Sequence, residues 1–160
     1  HLAMALFANL TGVELSHVPY RGSSVAISDL LAGRFLLMSD TVVATKDLVR
    51  DGRLRALGVT SREITPFVPE IPPIASQGVP DYDFYGWIGI AGPAGIPGPI
   101  VQKLYEAATA VTAQNGFEAR LADFGLSRMT HTLPELNAFI RDDVARWREV
   151  IPKAGIRLDQ

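Results

Sequence analysis

The residues best placed to do chemistry lie in the run His17-Val18-Pro19-Tyr20-Arg21-Gly22-Ser23-Ser24, which leads directly into Ala26-Ile27-Ser28-Asp29-Leu30-Leu31-Ala32-Gly33. An alternating apolar segment ends in a Tyr-Arg-Gly-Ser turn, and a helical pattern opens at once. The first N–H groups of a helix have no intrahelical partner, and the macrodipole is positive there. A Gly-Ser turn at that point lets backbone approach a ligand closely, so the run suits a small carboxylate or phosphate. A second such place is Ser39-Asp40-Thr41, where Asp40 offers an acceptor and Thr41 a hydroxyl. Each residue also has an ordinary reading. Ser23 or Ser24 and Asp40 are good N-caps, Arg21 a surface charge, and Tyr20 and Trp87 packing aromatics.

Catalytic patterns are sparse. The histidines are His1, His17 and His131, and no H-E-x-x-H, G-x-S-x-G, Walker or G-x-G-x-x-G pattern occurs. A Ser23–His17–Asp40 triad can be written, but a triad requires a bonded chain from nucleophile to base to orienter, and sequence alone does not supply one. No residue is assigned as catalytic or as a metal ligand, and no cofactor is expected.

These residues need elements to position them. Leu2, Leu6, Leu10 and Phe7 give a helix over His1–Leu10, closed by Gly12. Val13–Val18, Phe35–Met38, Leu54–Thr60 and Phe84–Ala91 read as strands; the second is continuously apolar, as in a parallel sheet covered on both faces. Helices capped by Ser23 or Ser24 and by Asp40 run to Leu31 and Arg50, ended by Gly33 and Gly52. Residues 61–81 are proline-rich, with a short helix near Ile74–Gln77. The last third is helical: Ile100, Leu104, Ala108 and Val111 share one face, and Phe117, Leu121 and Phe124 make a short helix ending at Gly125. A T-x-x-E box at Thr132 and Glu135 opens a long final helix finished by Pro152 and Gly155. The alternation of helix and strand predicts an α/β parallel sheet, with ligands outside the carboxyl ends of its strands.

Composition agrees with a single domain of 160 residues, 48% hydrophobic and 20% charged. With 15 Lys and Arg against 17 Asp and Glu, the net charge of −2 leaves no electrostatic footprint for nucleic acid. The absence of cysteine rules out disulfides and thiolate chemistry. No apolar run is long enough to cross a bilayer. The first residues lack the charged region and cleavage site of a leader. A helix already open at His1, without a capping residue or initiator Met, leads us to expect a fragment whose upstream sequence is missing.

Several motifs come in a set order: His17–Ser23, Leu30-Leu31-Ala32-Gly33, Gly52–Ser61, Trp87-Ile88-Gly89, Ala91–Pro97 and Ala154-Gly155-Ile156. Together they resemble the substrate-binding proteins of tripartite tricarboxylate transporters, the Bug family of extracytoplasmic solute receptors. The resemblance implies a type II periplasmic binding fold, in which two α/β domains close on a small carboxylate: a di- or tricarboxylate, an amino acid or an aromatic acid. It implies that residues 1–83 are most of the second domain. Residues 84–160 would be the crossover strand and C-terminal helices that return to the first domain, itself largely absent. It places Tyr20, Gly22, Ser23, Ser24, Asp40, Thr41 and Trp87 at the ligand, the membrane transporter subunits as partners and the periplasm as location. Apolar faces left uncovered lead us to expect that the fragment dimerises or swaps elements. The other classes are a ligand-sensing module of a regulator, and a small-acid hydrolase or isomerase using Asp40 or His17 as base.

Overall fold

Glycine turns and one capping box set most of the helix ends. The computed structural model describes residues 1–153 and 156. Its helices are α1 (Leu2–Thr11), α2 (Ser23–Leu31), α3 (Val42–Arg50), α4 (Gly98–Thr112), α5 (Phe117–Asp123) and α6 (Leu133–Lys153), with a 3-10 turn at Ile74–Gln77. The chain divides into one unit of His1–Tyr85 with Asp143–Gln160 and another of Gly86–Asp142.

The first unit is built around Ala3 and Leu6 of α1, Ala26 of α2, and Val59, Val68 and Tyr82. Tyr82 is 1% exposed. Its hydroxyl donates to the Ala3 carbonyl at 3.1 Å, and its ring meets Phe7 edge-on at 6.0 Å. Burial pushes the phenol pKa up to about 12, with Arg146 opposing. Arg146 also donates to the Asp83 carbonyl, and Trp147 meets Phe84 edge-on at 5.6 Å. The proline-rich stretch is tied back by Gln77, whose Nε2 donates to the Leu57 carbonyl at 3.0 Å. Gly58 makes room for that contact: a Cβ there would lie 2.8 Å from Gln77 Nε2 and from Ile74 Cγ1.

In the second unit, the Tyr105 hydroxyl of α4 donates to the His131 carbonyl at 3.0 Å. The expected capping box is formed at the start of α6. Glu135 accepts from the Thr132 N–H and hydroxyl, both at 2.8 Å, and the Thr132 hydroxyl accepts from the Glu135 N–H at 3.4 Å. Those two bonds from Thr132 hold the Glu135 carboxyl below its ordinary value.

Several sequence expectations are corrected. Among the described residues no strand forms: Val13–Val18, Phe35–Met38 and Phe84–Ala91 have no ladder, and Leu54–Thr60 has one isolated parallel bridge, Val59 to Pro73. A strand exists only through its neighbours, and these segments lack them here. Leu36, expected to be covered on both faces, is 92% exposed, as is Ile90. The N-caps are Gly22 and Thr41, with no side-chain cap bond, so neither Ser23, Ser24 nor Asp40 caps a helix. α2 begins at the expected cap Ser23 itself and α3 two residues beyond Asp40, at Val42, each after an extended N-cap residue. Pro152 lies inside α6, which continues to Lys153. Near a helix end the bond that proline removes leaves a carbonyl close to others that have no intrahelical partner anyway. Gly155 falls outside the described residues.

Candidate functional site

The first unit carries an open cavity of about 1050 Å³. Two stretches of chain make most of its wall: Leu15–Val18 with Tyr20, Gly22 and Ser23, and Phe35–Asp40. The α1 side adds His1, Met4, Ala5, Ala8 and Asn9, and the far end of the chain adds Lys153 and Ile156. Apolar side chains mixed with polar ones from each of these stretches make up the lining, as in many small-molecule sites.

One polar part of the lining is the start of α2. Gly22 is extended, and its carbonyl accepts the first intrahelical bond, from the Ala26 N–H at 3.4 Å. The N–H groups of the residues between them point out of the helix at its positive end. Gly22 and Ser23 are exposed to solvent and border the cavity. Ser24 is the next residue along the helix, turned about 100° from Ser23, and does not line it. On the opposite stretch Asp40 lines the cavity, and its Oδ1 accepts the Thr41 N–H at 2.7 Å. Thr41 sits at the N-cap of α3, outside the wall. Trp87 belongs to the second unit, where its ring meets Phe139 edge-on at 5.9 Å.

His17 does not join Ser23. Its ring stacks on that of His1, 3.8 Å apart and 14° from parallel. The pair stands in the cavity wall, as does Lys153 of α6. These groups put cationic or protonatable nitrogen on the same cavity as the helix N-terminus, which favours an anionic occupant. No cluster of three or more metal-ligating side chains occurs among the described residues. No helix among them is long and apolar enough to cross a membrane.

Tyr20 is held at the wall from both sides. Its ring lies 5.5 Å from Phe35, and its hydroxyl donates to Asp29 Oδ2 at 2.9 Å. Burial and the Asp29 carboxylate raise the Tyr20 pKa, with Arg34 opposing. Sequence reading passed over Asp29, Arg34, the His1–His17 stack and Lys153. Only the first pair left a local trace, an acid and a base flanking the Gly33 helix stop.

Residues 1–156 match the family described as the tripartite tricarboxylate transporter family receptor. A protein of Pseudomonas knackmussii, known as the UPF0065 protein in the clcB-clcD intergenic region, is 38% identical over 152 residues, covering 94% of this chain and 90% of that protein. The structure of R. palustris Rpa4515 with adipate superposes with a TM-score of 0.80 at 33% identity, over 98% of this chain and 52% of that one. The periplasmic binding protein BugD gives 0.78 at 30% identity, over 98% and 53%. The chain thus spans about half the length of the solved proteins it resembles. The α/β fold of the type II periplasmic binding kind, read from the sequence, is the fold it shares with them.

Proposed function

The chain belongs to the tripartite tricarboxylate transporter receptor family, and from that premise we propose that it binds a small di- or tricarboxylate in the periplasm for delivery to a membrane transporter. The observation that carries this reading is the cavity at the start of α2, where unpartnered N–H groups meet His17 and Lys153. One carboxylate group takes the N–H groups at Gly22–Ser24, beside Tyr20 and the Ser23 hydroxyl. Asp40 bounds the other side of the cavity. The role is capture without chemistry: binding energy drives closure, and the closed form is what the transporter recognises.

In the same reading, residues 1–83 are most of one ligand-binding lobe. Residues 84–160 supply the crossover segment and the helices that return to the other. The exposed apolar side chains, Leu36 and Ile90 among them, are covered by a second copy of the chain or by an exchanged element. Light scattering should then give a mass above 17.3 kDa; a well-folded monomer at that mass contradicts this part of the proposal.

Thermal unfolding tests the binding. A ligand present at 100 times its Kd stabilises the folded state by about 2.7 kcal/mol, so adipate or citrate should raise the midpoint. A midpoint unmoved by either, and by malate and glutamate, overturns the reading.

A further inference from the structure

Asp29 sits two residues before the end of α2 and does not line the cavity. Its side chain is 20% exposed, and both its oxygens are engaged. Tyr20 donates to Oδ2 at 2.9 Å, and Arg34 Nη1 donates to Oδ1 at 2.8 Å. Arg34 reaches Asp29 because the helix ends in a left-handed turn at Gly33, φ 72°. There the Gly33 N–H bonds the Leu30 carbonyl and the Arg34 N–H bonds the Asp29 carbonyl, each at 3.0 Å. Backbone and guanidinium thus return residue 34 onto residue 29 together.

The position of this cluster in the chain matters. Tyr20 opens the loop that carries Gly22 and Ser23 to the cavity. Arg34 immediately precedes Phe35, where the second wall segment begins, and the Phe35 ring packs on Tyr20. One carboxylate therefore ties the loop end of the first wall segment to the start of the second. The pairing with Arg34 also balances the charge of Asp29, which would otherwise repel an anion bound nearby.

We propose that Asp29 and Arg34 are positioning residues: with the Tyr20 hydroxyl they form a brace that fixes the Arg21–Ser24 loop and the Phe35 segment for carboxylate binding. This inference rests on the binding reading above, while the order of the loop can be measured without any ligand.

The test is backbone order by NMR relaxation at residues 21–24 in the full 160-residue chain. The wild type should be rigid, with order parameters of about 0.85, falling towards 0.6 in Tyr20→Phe and in Asp29→Ala. The double variant should fall no further than Asp29→Ala alone, because that substitution already removes the link that Tyr20→Phe removes. Asp29→Asn keeps an acceptor for the hydroxyl and should retain most of the order. Tyr20→Phe and Asp29→Ala should also weaken adipate binding, by about 10-fold. Loop order unchanged in Tyr20→Phe overturns the brace, as do additive losses in the double variant. Should Asp29→Ala not fold, Tyr20→Phe decides alone, since it removes a single oxygen. A wild type that binds neither adipate nor citrate defeats the binding reading, and the order parameters still decide the brace.

Discussion

Tyr82→Ala should destabilise the chain by about 3–5 kcal/mol, the range for removing a large buried aromatic. Domains of this size have only about 5–15 kcal/mol in total, so the variant should be partly unfolded at room temperature or close to it. The reason is local. Tyr82 is the most deeply buried large side chain among the described residues, in a core whose other members include Ala3 and Leu6 of α1. It closes against Phe7 of the same helix and bonds the Ala3 carbonyl. Without it α1 loses both its apolar partner and its tether, and α1 is one wall of the cavity. Tyr82→Phe keeps the ring and removes only the bond, so it should cost about 1 kcal/mol. Denaturant titration of the three proteins measures both differences. Equal losses for Phe and Ala would mean that the hydroxyl, not the ring, holds α1.

Ser23→Glu should abolish carboxylate binding while leaving the fold intact. Ser23 is the first residue of α2, exposed and with no capping bond to lose. A glutamate in the first turn is favourable to the helix by about 0.3–1 kcal/mol. Its carboxylate takes the N–H groups that the ligand needs and repels the ligand's charge. At about 4–5 Å and an effective dielectric near 20, that repulsion is worth about 3–4 kcal/mol, so affinity should fall by about 100-fold or more. Calorimetric titration with adipate, beside a thermal scan of the unliganded protein, separates the two effects. Binding unchanged in a stable Ser23→Glu protein would place the carboxylate elsewhere.

The helices were legible because their signals are local. The stops at Gly12, Gly33 and Gly52, the 3-10 turn at Ile74–Gln77 and the Thr132–Glu135 box depend on residues within one or two turns of each other. The strands were not, although the composition of Phe35–Met38 and Phe84–Ala91 is right for them. A helix satisfies its own backbone, whereas a strand needs a partner that may be far along the chain. The N-caps were misplaced for a subtler reason. Ser23 and Asp40 have capping side chains, but where a helix begins is set by the backbone of the preceding loop, extended through Gly22 in one case and through Thr41 in the other.

The candidate site divides the same way. Tyr20, Gly22, Ser23 and Asp40 were readable because a strand-like run stops and a helix starts around them. Phe35–Ser39, His1 and Lys153 reach the cavity only through tertiary folding. Ser24 and Thr41 were drawn in by adjacency, and one step along the backbone turns each away from the wall. The Asp29 brace is intermediate: the Gly33 turn explains the meeting of Asp29 with Arg34, but nothing local joins either to Tyr20, nine residues before Asp29.

The central claim is that the cavity at the start of α2 is where a carboxylate binds. Residue-resolved amide shifts during titration with adipate test it most directly. The account expects saturable shifts, largest at Gly22, Ser23 and Ser24, with smaller ones at Tyr20 and Asp40 and little change along α4 and α5. Shifts confined to α4–α6, or none at saturating adipate and citrate, would contradict it.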